Sequence, residues 1–234
     1  GWYAPGMNTH RTAFGARNYE YFSEDGVLAG NIGASAVAGA MNQGVYSYIK
    51  HFALYEGNGK MVSVWSNEQA IREIYLKPFE ISVKKGGANA VMVSWSFLGH
   101  KWTGENSSLL NTVLRDEWGF RGMALTDFFR NNGHGFMNAD AALANGVDAM
   151  LSTFDGPENN VADRSHPTSV KQMRNACKNV MYTVVSSWAY DGGGTSVGME
   201  TWKKAAIGLD VVLVLGLAAV EIIVIKGPGK RKEM

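Results

Sequence analysis

Residues 122–127 read GMALTD, and this short stretch decides how the chain is expected to fold. It is an apolar run that ends in the carboxylate of Asp127, which is typical of a buried strand that delivers a charge at its C-terminal end. Residues 45–52, VYSYIKHF, put Lys50 and His51 in the same position on an earlier strand. Charged groups at the C-terminal ends of parallel strands are the usual way in which an α/β barrel builds an active site.

Strand-like and helix-like segments alternate through residues 1–190. We predict strands at 2–5, 45–52, 90–94, 122–127 and 147–151, and helices at 26–42, 67–85, 107–118, 139–145 and 167–187. Short apolar strands buried on both faces imply a parallel sheet covered by helices. Because a closed eight-stranded barrel needs about 250 residues, about five βα units amount to part of a (β/α)8 barrel. A five-stranded doubly wound sheet is the alternative, although no glycine-rich phosphate loop supports a nucleotide-binding version of it.

The bulk composition is that of an ordinary globular protein. The chain has 234 residues, 46% hydrophobic and 18% charged, with a formal net charge of +1. This charge gives no global field that would favour nucleic acid, and the single cysteine, Cys177, excludes an internal disulfide. The first residues, GWYAP, contain neither an initiator methionine nor a signal-peptide pattern. We therefore expect an upstream portion that was removed or is present as a separate chain.

The C-terminal residues have a different character. We predict a glycine-rich linker at 191–204, a transmembrane helix at 205–225 and a basic tail at 226–234. The apolar segment is long enough to span a bilayer. Asp210 and Glu221 lie within it. A charged group at mid-bilayer costs ~2.5–3.5 kcal/mol, but both residues are near the ends of the segment, where the cost is smaller. The alternative is an amphipathic or buried helix that packs on a partner.

Several motifs at consistent spacing carry a family resemblance. Residues 8–25 read NTHRTAFGARNYEYFSED, 50–52 read KHF, 72–80 read REIYLKPFE and 109–128 read LLNTVLRDEWGFRGMALTDF. In this order they resemble glycoside hydrolase family 3, over about residues 1–190. The resemblance implies a (β/α)8-type barrel and a retaining β-glycosidase, most often a β-glucosidase. An apolar helix after the barrel is similar to the family members in which the α/β sandwich domain precedes the barrel.

The resemblance also implies roles for individual residues. The family nucleophile corresponds to Asp127, and the residues that bind sugar hydroxyls correspond to Arg17, Lys50 and His51. The aromatic wall of the glucose subsite corresponds to Phe128.

Two departures from the family pattern concern the surroundings of the nucleophile. Trp95 stands where the family usually has a tyrosine near the nucleophile, and either it or Trp102 could stack on a sugar or simply pack in the core. The loop that carries the catalytic histidine of the N-acetylglucosaminidase branch is missing after His51, so that activity is not expected.

A retaining mechanism needs two carboxyl groups ~5–5.5 Å apart. The resemblance implies that the acid/base glutamate lies in a sandwich domain outside this chain. Cations at Arg17 and Lys50 would lower the pKa of Asp127 and keep it ionised. We see no metal-ligand spacing, and the mechanism needs no cofactor.

Structural interpretations of the same residues stay open. Asp127 could be a helix N-cap, and Lys50 and His51 could be a solvated pair at a strand end. Arg17 could pair with a neighbouring acidic side chain, Glu24 or Asp25. We interpret Glu20, Glu24 and Asp25 as residues that start a helix, where carboxylates favour the dipole.

The predicted function is hydrolysis of terminal non-reducing β-D-glucosyl residues through a covalent glycosyl-aspartate. Three partners are expected. They are a β-glucoside or oligosaccharide substrate, a second polypeptide or upstream segment with the first strands and the acid/base, and a membrane spanned by 205–225. The positive-inside rule puts the barrel outside a bacterial cell and the C-terminus in the cytoplasm. The alternatives are a sugar-binding or structural barrel fragment without turnover, and a β-xylosidase or arabinosidase of the same family.

Overall fold

The structure is a computed structural model, which describes residues 1–57, 63–129, 135–153, 159–191 and 201–226. It divides into two units, Gly1–Asp191 and Gly192–Met234. The first unit contains a parallel sheet with helices. The described part of the second unit is a single helix.

The elements follow one another in alternation. The strands are β1 (Tyr48–Phe52), β2 (Ser63–Val64), β3 (Ala90–Val93), β4 (Phe97–Leu98), β5 (Lys101–Trp102) and β6 (Met123–Leu125). The α-helices are α1 (Gly26–Met41), α2 (Glu68–Ala70), α3 (Lys77–Lys84), α4 (Ala139–Ala144), α5 (Pro167–Val185), α6 (Trp188–Asp191) and α7 (Thr201–Lys226). Two π-helical segments, Ile71–Tyr75 and Ser108–Glu117, and a 3-10 turn, Thr103–Glu105, complete the described elements.

The central sheet has the order β1-β3-β6, and its strands are parallel. This arrangement confirms the predicted α/β class with a parallel sheet. Two further segments join it through isolated parallel bridges. Trp2 and Gly6 pair with Ser47 and Lys50 on one side, and Ala149 pairs with Leu125 on the other.

The predicted strands at 2–5 and 147–151 are therefore single bridges rather than ladders. Pro5 has no backbone N–H to donate to a ladder. In the second segment the side chain of Asp148 accepts the backbone N–H of Ala124 at 2.8 Å. That N–H therefore bonds a side-chain carboxylate where a ladder would use a strand carbonyl.

Opposite faces of the sheet have different neighbours, because alternate residues of a strand point to opposite sides. On one face Ile49 and Val91 belong to the main core, with Phe79 of α3 and Leu110 and Leu114 of the second π-helical segment. The other face forms a smaller cluster, against which Val180 of α5 packs; it consists of Tyr48, Ala90, Met92, Met123 and Leu125. Helix α3 and the second π-helical segment thus cover the first face, and α5 contacts the second through Val180.

Local signals explain where the first helices begin and end. Asp25 caps α1, since its carboxylate accepts the N–H groups of Val27 and Leu28 at 2.7 and 3.0 Å. Asn67 caps α2 by accepting the N–H of Ala70 at 2.8 Å. Past α3, Gly87 has φ +72°, which ends the helical path because glycine adopts this conformation at little cost.

The predicted continuous helix at 67–85 is in fact three segments, with the π-helical turn between α2 and α3. Pro78 lies in the first turn of α3. A proline there is tolerated, but it cannot donate to an uninterrupted helix that began a turn or more earlier. The small sheet β2-β4-β5 was not predicted, because two-residue strands leave no periodic pattern to recognise.

Helix α5 closes the sheet at the N-terminal ends of its strands. The hydroxyl of Thr183 donates to the carbonyl of Asn89 at 2.7 Å and accepts the N–H of Met123 at 2.8 Å. Asn89 directly precedes β3, and Met123 is the first residue of β6. One buried hydroxyl therefore joins two strand ends to the helix.

In the second unit, α7 begins at Thr201, so Lys203 and Lys204 are part of the helix. Its side chains are exposed from Thr201 to Ile223, and it is long and apolar enough to cross a membrane by length and composition. Residues 192–200 and 227–234 lie outside the described residues. They include most of the predicted linker and all of the predicted basic tail except Lys226.

Candidate active site

Asp127 lies two residues beyond the C-terminal end of β6 and is 9% exposed. Its Oδ1 accepts the backbone N–H of Phe128 at 2.7 Å. Burial raises the pKa of Asp127 to about 6, while the Phe128 N–H and the charges of Arg17 and Lys50 act in the opposite direction. The expectation that the cations would lower this pKa below its ordinary value is wrong, because the loss of solvation outweighs them.

Glu20 forms ion pairs with both Lys50 and Arg17. The Lys50 Nζ lies 2.8 Å from Glu20 Oε1, and Arg17 Nε donates to Glu20 Oε2 at 2.7 Å. Lys50 is in β1 and Arg17 is in the segment before α1. Arg17 therefore pairs with Glu20, not with Glu24 or Asp25 as the structural alternative supposed.

The interpretation of Glu20 as a helix-start residue is also wrong. Asp25 is the side chain that caps α1, whereas Glu20 precedes the helix and turns its two oxygens to the two cations. Its place before α1 in the sequence suggested the dipole role. The partner that determines its actual role, Lys50, is distant along the chain.

His51 is neutral in this arrangement. Arg17 Nη1 lies 2.8 Å from His51 Nε2, and a guanidinium can donate but not accept, so Nε2 must be the acceptor. Burial, followed by the charges of Arg17 and Lys50, holds the pKa of His51 well below its ordinary value. The proton is then on Nδ1, a buried atom that has no hydrogen-bond partner among the described residues.

The two predicted aromatic residues are linked to each other. The indole Nε1 of Trp95 donates to the carbonyl of Phe128 at 3.2 Å, and both side chains are half-buried. Trp95 is thus tied to the residue that follows Asp127. Trp102, in contrast, is 1% exposed and donates to the carbonyl of Ser94 at 2.8 Å, so it is a core residue.

Tyr55 is a further member of the site that the sequence reasoning missed. Its ring lies 5.1 Å from that of His51 and 6.3 Å from that of Trp95, measured between centroids. Burial, and then the charge of Asp127, raise the pKa of Tyr55. The available sequence signal was the position of this tyrosine, shortly after Lys50 and His51.

A separate cleft of about 470 Å³ lies at the opposite ends of the strands. Arg115 lines it and donates to the carbonyls of Gly122 and Gly146 at 3.0 Å and to Asp148 at 2.7 Å. Asn179 also donates to Asp148, at 2.8 Å. Burial raises the pKa of Asp148, partly offset by Arg115 and its hydrogen-bond donors. Asp148, for which the sequence suggested no role, is a structural carboxylate at the stabilising end of the sheet.

Among the residues that the structure describes, no group of three or more His, Cys, Asp or Glu side chains could hold a metal ion. The polar side chains at the C-terminal ends of β1 and β6 are instead donors, a neutral imidazole and one poorly solvated carboxylate. Such a set can bind hydroxyl groups and present a carboxylate to an electrophilic carbon.

Comparison with known proteins gives a consistent result. The model for "Glycosyl hydrolase family 3 N terminal domain" matches residues 2–181. A β-glucosidase of Ruminococcus albus is 42% identical over 129 residues, which are 54% of this chain and 14% of the relative. Probable β-glucosidase J of Emericella nidulans is 32% identical over 185 residues, 77% of this chain and 21% of the relative.

Solved structures agree in fold over most of the chain. β-Glucosidase 3B of Thermotoga neapolitana in complex with glucose superposes with a TM-score of 0.69 at 32% identity, over 81% of this chain and 27% of that one. A β-glucosidase of Paenibacillus barengoltzii gives 0.71 at 29% identity, over 84% and 23%. The chain thus spans a small part of the length of these relatives.

Proposed function

Because the chain belongs to glycosyl hydrolase family 3, we propose that it carries the nucleophile-bearing part of a retaining β-glucosidase. The substrates are terminal non-reducing β-D-glucosyl residues of glucosides or oligosaccharides. One observation carries the proposal above all others: Asp127 follows the end of a buried strand, within the electrostatic reach of Arg17 and Lys50. The names of the related β-glucosidases support the choice of sugar.

In the proposed reaction, Asp127 attacks the anomeric carbon of the glucosyl residue as the glycosidic C–O bond breaks. The leaving oxygen takes a proton from a general acid, and water then hydrolyses the glycosyl-aspartate with that same group as base. Oδ1 accepts the Phe128 N–H, so Oδ2 is the proposed attacking atom. Attack needs the carboxylate form, which predominates above the pKa of about 6.

Sugar binding is assigned to the donors beside Asp127. Arg17 and Lys50 are held by Glu20 in a fixed geometry, which lowers the conformational cost of binding hydroxyls. His51 is assigned to the same subsite beside Arg17, whose Nη1 donates to its Nε2 at 2.8 Å. Trp95 and Phe128, linked through one hydrogen bond, form the aromatic side of the subsite.

The proposed fold is part of a (β/α)8 barrel. Its five successive strand positions are the Trp2 and Gly6 bridges, β1, β3, β6 and the Ala149 bridge. We assign the remaining strands and the acid/base glutamate to an upstream segment or second polypeptide outside these 234 residues. This assignment is supported by the small share of the related enzymes that the chain covers.

Covalent labelling tests this function. A mechanism-based fluoro-glucoside, incubated with the full chain and any polypeptide that co-purifies with it, is expected to label the peptide that contains Asp127. Mass spectrometry of a digest identifies the labelled peptide. A label on another carboxylate would overturn the assignment of the nucleophile.

A second proposal, sugar binding without turnover, is favoured by the state of Glu20. This is the carboxylate whose charge acts on Asp127, and both of its oxygens are engaged by Lys50 and Arg17. It is therefore not free to serve as the general acid. Saturable glucose binding, with no release of aryl leaving group from any aryl β-glycoside, would replace the enzyme proposal by this one. Faster turnover of an aryl xyloside than of the glucoside would favour a β-xylosidase.

For the second unit we propose that α7 spans a membrane. Lys203 and Lys204 precede its apolar part, and Lys226 is followed by Lys230, Arg231 and Lys232. The excess of basic residues after the span predicts an extracellular barrel and a cytoplasmic C-terminus. Protease added to intact cells should digest the barrel and spare the tail. Release of the protein by a salt wash would favour the alternative, a helix that packs on a partner.

A further inference from the structure

A buried carboxyl group that the proposed reaction does not use lies behind the sugar-binding residues. Glu56, on the loop that follows β1, is 4% exposed. Its Oε1 accepts a hydrogen bond from Asn8 Nδ2 at 3.2 Å. Burying a carboxyl group is costly unless it is hydrogen-bonded, so its presence here calls for a role.

Asn8, which is fully buried, connects this carboxyl group to the backbone of His51. The His51 N–H donates to Asn8 Oδ1 at 2.8 Å, and Asn8 Nδ2 donates to the His51 carbonyl at 3.1 Å. The amide therefore holds both polar backbone groups of His51. It can do so in one orientation, with its oxygen toward the N–H and its nitrogen toward the carbonyl.

Glu56 reinforces that orientation. An amide group has two N–H donors on nitrogen and an acceptor oxygen. In the observed orientation Asn8 Nδ2 donates to both the His51 carbonyl and Glu56 Oε1. If the amide were flipped, its oxygen would face the carboxylate and the carbonyl, and its N–H groups would face the His51 N–H.

We propose that Glu56 is a positioning residue of the sugar site, which acts through Asn8 to hold Lys50 and His51 in their binding geometry. This inference rests on the proposed function. Lys50 and His51 are adjacent, and the His51 ring must meet Arg17. A shift of the His51 backbone would therefore displace Lys50, its neighbour in β1, and would break the contact that orients Arg17. The affinity for a sugar should then fall.

The charge state of Glu56 supports this role at alkaline pH. Burial raises the pKa of Glu56 to about 7, while hydrogen bonds from Asn8 and from the backbone of Thr9 and Glu56, and the charge of Arg11, act to lower it. Tyr21 is a further titratable side chain that interacts with Glu56. At pH 8 the carboxylate is the predominant form, so neither oxygen carries a proton and both are able to accept hydrogen bonds.

The test is a double-mutant cycle on glucose affinity at pH 8, measured by calorimetry on the full chain with any co-purifying polypeptide. Glu56→Gln replaces one acceptor oxygen by a donor, and Asn8→Ala removes the link. Each is expected to weaken glucose binding roughly 3- to 10-fold, the range for one lost hydrogen bond. The double variant should be no weaker than the weaker single variant, because both act through one connection. Glu24→Gln, at an exposed carboxylate, is the matched control.

Three outcomes would overturn the proposal, and a fourth would contradict the proposed function instead. Wild-type affinity in Glu56→Gln would overturn the proposal, and so would multiplied losses in the double variant, which indicate independent effects. If Gln at position 56 prevents folding, Glu56→Asp keeps the charge but shortens its reach, and wild-type affinity there would overturn the proposal equally. Absence of glucose binding in the unmodified protein would instead contradict the proposed function.

Discussion

The two ends of the central sheet each contain a buried aspartate near an arginine, and the two aspartates are bonded very differently. Asp148, whose side chain is 3% exposed, is bonded by Arg115, Asn179 and the Ala124 N–H. Among the residues that the structure describes, Asp127 accepts one N–H, from Phe128. The contrast teaches that burial alone does not distinguish a structural carboxylate from a reactive one. The two are distinguished by the number of hydrogen-bond donors to the carboxylate, because a buried carboxylate with few donors keeps a lone pair for other chemistry.

Neutralising Asp127, the aspartate with fewer hydrogen bonds, tests the contrast most directly. Asp127→Asn is nearly isosteric, so folding and glucose binding should persist. Turnover should fall by several orders of magnitude, since the proposed nucleophile is gone. Initial rates on an aryl β-glucoside check this in the complete assembly. A near-normal kcat in Asp127→Asn would contradict the assignment.

Neutralising the well-bonded member should give the opposite result. Asp148→Asn leaves Arg115 without its charge partner in a largely buried position, and breaking such a pair costs about 3–5 kcal/mol. We expect the free energy of unfolding to fall by about this amount, with turnover per folded molecule unchanged. Denaturant titration, paired with active-site labelling to count folded molecules, separates the two effects. Loss of turnover at full stability would show that the two ends do not differ in the proposed way.

The pH dependence of the free energy of unfolding reports how strongly Asp127 is desolvated in the folded chain. The pKa of Asp127 rises from 3.8 to about 6 on folding, so its contribution to stability is complete below the ordinary pKa and is lost as the pH rises through about 6. The difference corresponds to on the order of 3 kcal/mol. Relative to Asp127→Asn, the free energy of unfolding of the wild-type protein should therefore decrease by about this amount between pH 4 and pH 7. Glu56 and His51, whose pKa values also shift on folding, contribute to both proteins alike. An equally steep trend in the variant would assign it to other groups.

A smaller effect, on glucose affinity, is expected at Glu20, which pairs with Arg17 and Lys50. Glu20→Gln removes the ion pairs to Arg17 and Lys50 but leaves both donors in the chain. Glucose affinity should weaken by about tenfold, roughly 1.4 kcal/mol, because the donors must then be ordered on binding. Calorimetry measures the change, with Glu24→Gln as the control. Unchanged affinity would mean that the pairs do not organise the site.

The sequence predicted features that depend on neighbouring residues better than features that depend on distant ones. Asp25 and Asn67 cap helices because a side chain there reaches N–H groups two or three residues on, which a local pattern records. The order of strands and helices in the parallel sheet also follows from such patterns.

The misassigned residues are those whose partners are remote. Glu20 was expected to serve the helix that follows it, yet it pairs with Lys50. Asp148 received no role because Arg115 and Asn179 meet it only after folding. The raised pKa of Asp127 depends on how deeply the folded chain buries it, which no stretch of sequence shows. The roles of Asp127, Arg17, Lys50, His51, Trp95 and Phe128 stay predictions.

The hydroxyl of Thr183 has a practical meaning for anyone who shortens this protein. The family match ends at residue 181, which would be a natural place to cut when designing a smaller version. Such a cut would discard the hydroxyl that bonds the carbonyl of Asn89 and the N–H of Met123. A stable truncated protein should therefore end beyond Val185, the last residue of α5, so that the helix and its bonds to the N-terminal ends of the strands are complete.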